Sequence, residues 1–279
     1  MSQLNLNQIT DVDVDTAASS WKSLYKIASV TVMLAVMLML LDIVTTILSK
    51  ESIEFGTFTA INWFTIFHNN WFSGLRNLGL LNVMEMTLTV PMYFALYAAH
   101  AHEHEHEHEH AHTLAHAHQN TNKTYAALAM ILSLVGMAIY ISNNAAVPML
   151  VLSGKYAMAT TDAQKSLLAR AGEAILVRGQ DFTPGAFMGF FLGELASLTI
   201  CFVMLRGRIF SKVTAYLGIF GVALLTVYTI WVTFFPALQE GAMVFAMIGG
   251  PFSMVWSILI AVRLFQLGRH SKQVPPPLK

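Results

Sequence analysis

Residues 100–118 read HAHEHEHEHEHAHTLAHAH and hold nine of the chain's eleven histidines. Neutral imidazole binds Zn²⁺, Ni²⁺, Cu²⁺ and Co²⁺, and several ligands in one short stretch raise affinity through effective concentration. In a helix, His100, His104, His108 and His112 share one face at i, i+4 spacing, and His102, His106 and His110 share another. In an extended chain these histidines fall on one side and the interleaved glutamates, Glu103 to Glu109, on the other. His116 and His118 complete the candidate ligand set. So many equivalent ligands do not specify one closed four-ligand site. The run therefore reads in two ways: a binder of zinc or nickel, or a solvated low-complexity loop whose imidazoles change charge between about pH 5 and 8.

A second set of reactive groups is acidic and sits among apolar residues. Asp42 lies in LMLLDIVTTIL, Glu85 in NVMEMTLTV and Glu194 in GFFLGELAS. No Lys or Arg stands well inside the same stretches to neutralise them. Such a carboxyl group must be protonated, hydrated, hydrogen-bonded or paired with a cation. The plain reading is a hydrogen bond between helices; the functional reading is a site for an ion, proton or small solute. On a helix, Asn82, Glu85, Thr89 and Tyr93 form one polar stripe. Asn143 and Asn144 come to a similar depth, and Glu194 lies somewhat deeper. The expectation is one pocket in the outer half of the protein, built from Asp42, Asn82, Glu85, Asn143, Asn144 and Glu194.

The elements that must position these residues follow from composition. The chain is 55% hydrophobic and only 11% charged, with 16 basic and 16 acidic residues. A balanced charge gives no global field for nucleic acid. Six apolar blocks run from about Ile27 to Leu48, Leu78 to Ala99, Tyr125 to Val147, Pro184 to Leu205, Val213 to Phe235 and Ala242 to Phe265. Each is long enough to cross about 30 Å of hydrocarbon as a helix, and lipid permits little else. The predicted fold is an all-α, multi-pass transmembrane bundle of about six spans. A polar segment (1–26) precedes the membrane domain (27–267), and a proline-rich tail (268–279) follows it. The first span has no basic start or cleavage site of a secretory signal, so it is expected to be retained.

Lysine and arginine placement sets the orientation. Lys22, Lys26, Lys123, Arg206, Arg208, Lys212, Arg263, Arg269, Lys272 and Lys279 flank one side, and Lys50, Arg76, Lys155, Lys165, Arg170 and Arg178 the other. The expectation is a cell-membrane protein with both termini and the histidine run cytoplasmic.

Two outer connections carry structure of their own. FGTFTAINWFTIFHNNWFSGLR is rich in Phe and Trp, which suits a short interfacial helix, and its His68 reads as a surface residue. TTDAQKSLLARAGEAIL opens with a capping box, Thr161 to Gln164. Its Leu167, Leu168, Ala171, Ala174 and Ile175 form the apolar face of an amphipathic helix against the outer membrane surface or the bundle. In the fourth span, Gly185, Gly189, Gly193 and Ser197 recur every fourth residue and permit close helix approach, within one chain or in a homo-oligomer. A lone cysteine, Cys201, excludes an intramolecular disulfide. No span holds a histidine pair for haem, no late span holds a lysine for retinal, and no GxxxxGK phosphate loop occurs. Nothing positive supports an enzyme.

Three segments, GLRNLGLLNVMEM, ISNNAAVPMLVLSGKYAMATTDAQKSLLARAGEA and MLRGRIFSKVTAYLGIFG, carry a resemblance to a bacterial membrane family, the domain of unknown function 4386. It extends from roughly the first span to the sixth. The resemblance implies a compact helical bundle in a prokaryotic cytoplasmic membrane, with no established catalytic set. It also implies a short polar turn where this chain has its histidine run, which makes the run an elaboration. Two function classes remain: a transport or channel-like protein using its in-span carboxylates, or a non-catalytic membrane sensor or interaction subunit whose handle is the histidine loop.

Overall fold

A computed structural model describes residues 4–48, 59–102 and 115–269. Ten α-helices follow one another: α1 (Leu4–Leu48), α2 (Ala60–Asn69), α3 (Trp71–Asn77), α4 (Leu80–His102), α5 (Ala115–Asn143), α6 (Ala146–Met158), α7 (Asp162–Gly179), α8 (Pro184–Arg206), α9 (Lys212–Phe234) and α10 (Gln239–Arg269). A single 3-10 turn, Pro236–Leu238, joins the last two, and no strand occurs among the described residues. Five stretches, in α1, α5–α6, α7–α8, α9 and α10, are long and apolar enough to cross a bilayer, and the bent pair α3–α4 supplies a sixth. The chain is a multi-pass membrane protein. Its perimeter agrees: Met37, Val44, Ile131, Val135, Phe202, Ile230, Met247 and Val262 all point outward from spans. In water such a surface would be an aggregation hazard; in lipid it is solvated.

The spans close into a ring in sequence order. α1 packs on α4, α4 on α5, α5 on α8, α8 on α9, α9 on α10, and α10 returns to α1. Between apolar helices in lipid, close backbone approach and interhelical hydrogen bonds drive association. Glycines provide the approach: a Cβ on Gly136 would lie 2.9 Å from the Gly189 carbonyl, and one on Gly221 would lie 2.7 Å from Ser253 N. The stripe on α8 is thus engaged within one chain, Gly189 against Tyr140 of α5 and Gly185 against the Arg178 backbone.

At one end of the ring, α2, α3, α6 and α7 form a cap with its own core of Trp63, Phe64, Phe67, Leu78, Met149 and Leu176. Two helices stand where one interfacial helix is predicted, because Asn70 breaks the chain and caps α3 by accepting from Phe72 N (3.1 Å) and Ser73 N (3.2 Å). α7 begins at the expected N-cap, Thr161 Oγ1 accepting from Gln164 N, but the box does not close, because Gln164 Oε1 accepts from Thr160 N and not from Thr161 N. The predicted apolar face of α7 is divided, Ile175 packing on the cap core and Leu168 half-buried. Gly172, Leu176 and Gly179 face the cap, whereas Leu167, Ala171 and Ala174 are exposed. Small residues decide this, since Gly172 lets Ala60 and Phe64 of α2 come within contact of the α7 backbone. In the third span the helix breaks after Asn143, and α6 carries the apolar stretch on past Val147 to Met158.

The opposite end is basic. Gly268 abuts Lys22 and Lys26, Arg206 lies over the Tyr125 ring at 5.8 Å, and Arg263 Nε donates to the Ile209 carbonyl at 2.7 Å.

Candidate functional site in the membrane cavity

Within the ring lies a partly open cavity of about 350 Å³, to which all six spans contribute. α8 reaches it through its small residues. Gly193 has open space where a Cβ would stand, so the next residue in the chain, Glu194, lies beside a gap and not a packed wall. Thr229 of α9 donates to Glu194 Oε1 at 2.6 Å. Glu194 Oε2 is buried and has no hydrogen-bond partner. One turn on, Ser197 donates to the Gly193 carbonyl (3.0 Å) and pairs with Tyr93 of α4 (2.8 Å). That pair fixes the relative height of α4 and α8.

On α4, Asn82, Glu85, Thr89 and Tyr93 line the cavity together, as their spacing predicts. Glu85 has no hydrogen-bond partner among the described residues; its one charged neighbour of consequence is Asp42 of α1. Asp42 itself is half-buried, does not line the cavity, and feels Arg76 electrostatically. Among the described residues no Lys, Arg or His lines the cavity, whose walls also carry the methionines Met39, Met86, Met92 and Met137.

Behind Asn82, on the cap side of the cavity, lies a group that the sequence did not reveal. Asp181, in the α7–α8 connection, is buried and accepts from Tyr140 (2.6 Å) and from Asn82 Nδ2 (2.8 Å). Gly79 turns beside it with φ 84°, and a Cβ there would come within 2.7 and 2.8 Å of the Asp181 carboxylate oxygens. The next residue, Phe182, takes φ 62°, a left-handed conformation that L side chains rarely adopt. Its ring lines the cavity, stacks on Phe190 (5.5 Å) and meets the Tyr228 edge (5.2 Å).

Of the six residues expected to converge, the cavity gathers Asn82, Glu85 and Glu194. Asn143 and Asn144 lie outside it as braces. Asn143 Nδ2 donates to the Gly185 carbonyl (2.9 Å) and its Oδ1 accepts from Arg178 (2.9 Å). Asn144 Nδ2 donates to the Leu78 carbonyl (3.0 Å) and its Oδ1 accepts from Ala146 N (3.0 Å). The amide pair therefore spends its hydrogen bonds at the cap, three on backbone and one on the Arg178 side chain.

Of the proposed metal ligands, His100 is fully buried at the basic end, with Nδ1 2.8 Å from the Leu96 carbonyl and its ring stacked on Phe210. It is built into the bundle. His104, His106, His108, His110 and His112 lie outside the described residues, and for His102, His116 and His118 only the helical backbone is described. Among the described residues no group of three or more His, Cys, Asp or Glu is arranged to hold a metal. His68 is exposed on α2, and Cys201 is a buried free thiol.

Chemically, the cavity presents an open carboxylate oxygen at Glu194, a second carboxylate at Glu85 and, among the described residues, one unpartnered N–H donor, Trp256 Nε1. It is suited to a proton, a cation or a solute that donates hydrogen bonds. No family model, curated protein or solved structure matches this chain.

Proposed function

We propose that the helix ring is a solute-handling membrane protein of the transport or channel class, binding a cation or small hydrogen-bond-donating solute at Glu194 and Glu85. The carrying observation is the buried, unpartnered Glu194 Oε2 beside open space at Gly193. A carboxylate kept only to join helices would have both oxygens engaged, since an unsatisfied buried acceptor costs about 1–3 kcal/mol. Cysteine reactivity tests the reading. In a Cys201→Ser background, Gly193→Cys should react with methyl methanethiosulfonate within minutes, because that reagent needs a hydrated thiolate. Met247→Cys, on the lipid-facing perimeter, should stay protected. A Gly193→Cys thiol as inert as the Met247→Cys thiol would mean a dry cavity and end the proposal.

We also read the chain as a member of the bacterial family it resembles, oriented with its basic end cytoplasmic by the rule that lysine and arginine favour that side. A second reading has one observation in its favour. His100, the first residue of the histidine run, is locked into the core against Phe210, so a metal or proton taken up by the run would act on a chain fixed to the bundle. The run would then be a cytoplasmic sensing handle.

A further inference from the structure

The cavity's lining narrows the ligand class, an inference that rests on reading the cavity as a solute site. We propose that it takes a monovalent organic cation, an ammonium group at Glu194 with an apolar body against Phe182, Phe190 and Tyr228. Each alternative fails on the lining. An anion would meet two carboxylates and no Lys, Arg or His among the lining residues. A neutral apolar solute would leave Glu194 Oε2 buried and unpaired. A hard metal ion needs about six oxygens at 2.0–2.6 Å and is best held by grouped carboxylates, whereas among the described residues no three His, Cys, Asp or Glu are grouped to hold one. A space of about 350 Å³ is also far larger than a bare ion and falls in the range of small-molecule sites.

The positive argument is the arrangement of charge and rings. The Tyr93–Ser197 pair sets a common level on α4 and α8. From it, Glu194 lies three residues toward the cap and Glu85 eight, so the two carboxylates differ in depth by roughly 7 Å at 1.5 Å per residue. Phe190 stands one turn capward of Glu194 on the same face of α8, between the two levels. Phe182 stacks on it and Tyr228 closes the third side, next in sequence to the Thr229 that orients Glu194. Rings beside a carboxylate recognise an alkylammonium through both its charge and its apolar surface. The four thioethers complete an adaptable, apolar wall.

Calorimetric titration of the full chain in lipid nanodiscs tests this, with empty nanodiscs subtracted. The probe is 2-phenylethylammonium, compared with neutral 2-phenylethanol, K⁺ and Ag⁺. The ammonium should bind, the alcohol should bind at least tenfold more weakly, and neither inorganic ion should compete. Glu194→Gln should weaken the ammonium at least tenfold. Phe190→Leu, which keeps the charge and tests the ring, should weaken it severalfold, while Phe202→Leu on the lipid face should not. Equal binding of alcohol and ammonium, displacement by K⁺ or Ag⁺, or unchanged affinity in both Glu194→Gln and Phe190→Leu would overturn the ligand class. Absence of ammonium binding in a protein whose Gly193→Cys thiol reacts would remove the ligand class and leave the solute site standing. An inert Gly193→Cys thiol would remove the site itself.

Discussion

At Gly79 the backbone turns through φ 84° beside the Asp181 carboxylate, so a side chain is excluded both by conformation and by space. Gly79→Ala should therefore cost about 1–3 kcal/mol, the usual range for a residue forced into a sparsely populated conformation. Tyr140→Phe, which removes one of the two side-chain donors to Asp181, should cost about 1–3 kcal/mol by leaving a buried acceptor short. Because both act through one carboxylate, the double variant should lose less than the sum. Thermal unfolding in a single detergent reads all three, and a Gly79→Ala protein that melts with the wild type would refute the strain argument. The same residues show what a sequence can disclose. Glu85 and Glu194 are conspicuous because a carboxyl group in an apolar block demands an explanation. Asp181 stands in RGQDFTPG, where an acidic residue in a turn is ordinary, and nothing in its neighbours signals that the turn folds inward. Asn143 and Asn144 announce hydrogen-bonding capacity but not its address, which is backbone carbonyls far away in sequence.

Among the helices, glycine positions separate contact from open face. Gly189 meets Tyr140 closely enough that a Cβ would lie 2.7 Å from its Cβ, whereas Gly154 on α6 has nothing within 4 Å. Gly189→Leu should force α5 and α8 apart and lower the yield of folded protein, at a cost of several kcal/mol if the helices do not yield. Gly154→Ala should be neutral or stabilising by up to about 1 kcal/mol through helix propensity. Size-exclusion profiles and melting temperatures of the two variants check this; equal behaviour would mean the α5–α8 contact tolerates separation. The four-residue stripe on α8 was legible as a packing surface, since its physics is only the absence of side chains. Its partner was not legible, because α5 carries one glycine, Gly136, at the crossing and no repeat to match. On α7, periodicity locates the apolar face, of which Ile175 packs on the cap core while Leu167 and Ala171 stay exposed, but the close backbone contacts at Gly172 and Gly179 carry no periodic signal.

The molecule as a whole keeps two groups of reactive side chains apart, carboxylates in the ring and His100, which opens the histidine run, at its basic end. Replacing His104, His106, His108, His110 and His112 by serine should remove most Zn²⁺ or Ni²⁺ binding by the purified protein, and wild-type binding should fade below about pH 5.5 as imidazoles protonate. Melting should be unchanged in that variant, whereas His100→Ser should destabilise by about 1–3 kcal/mol through its lost buried contacts. Full metal binding by the five-serine variant would exclude those five histidines as the ligands. The number of spans was readable because each is a long apolar block; the ring was not, because it depends on which faces meet. Five of its six interfaces join spans adjacent in order, and only α10 against α1 joins the first to the last. During synthesis that final seam stays open until α10 enters the bilayer. Until then the ring is a crescent whose concave side, bearing Glu85 and Glu194, faces hydrocarbon. A nascent chain stalled before Gln239 thus displays acid groups to lipid, the kind of surface that membrane quality control can recognise, and arrival of the last helix conceals them in one step.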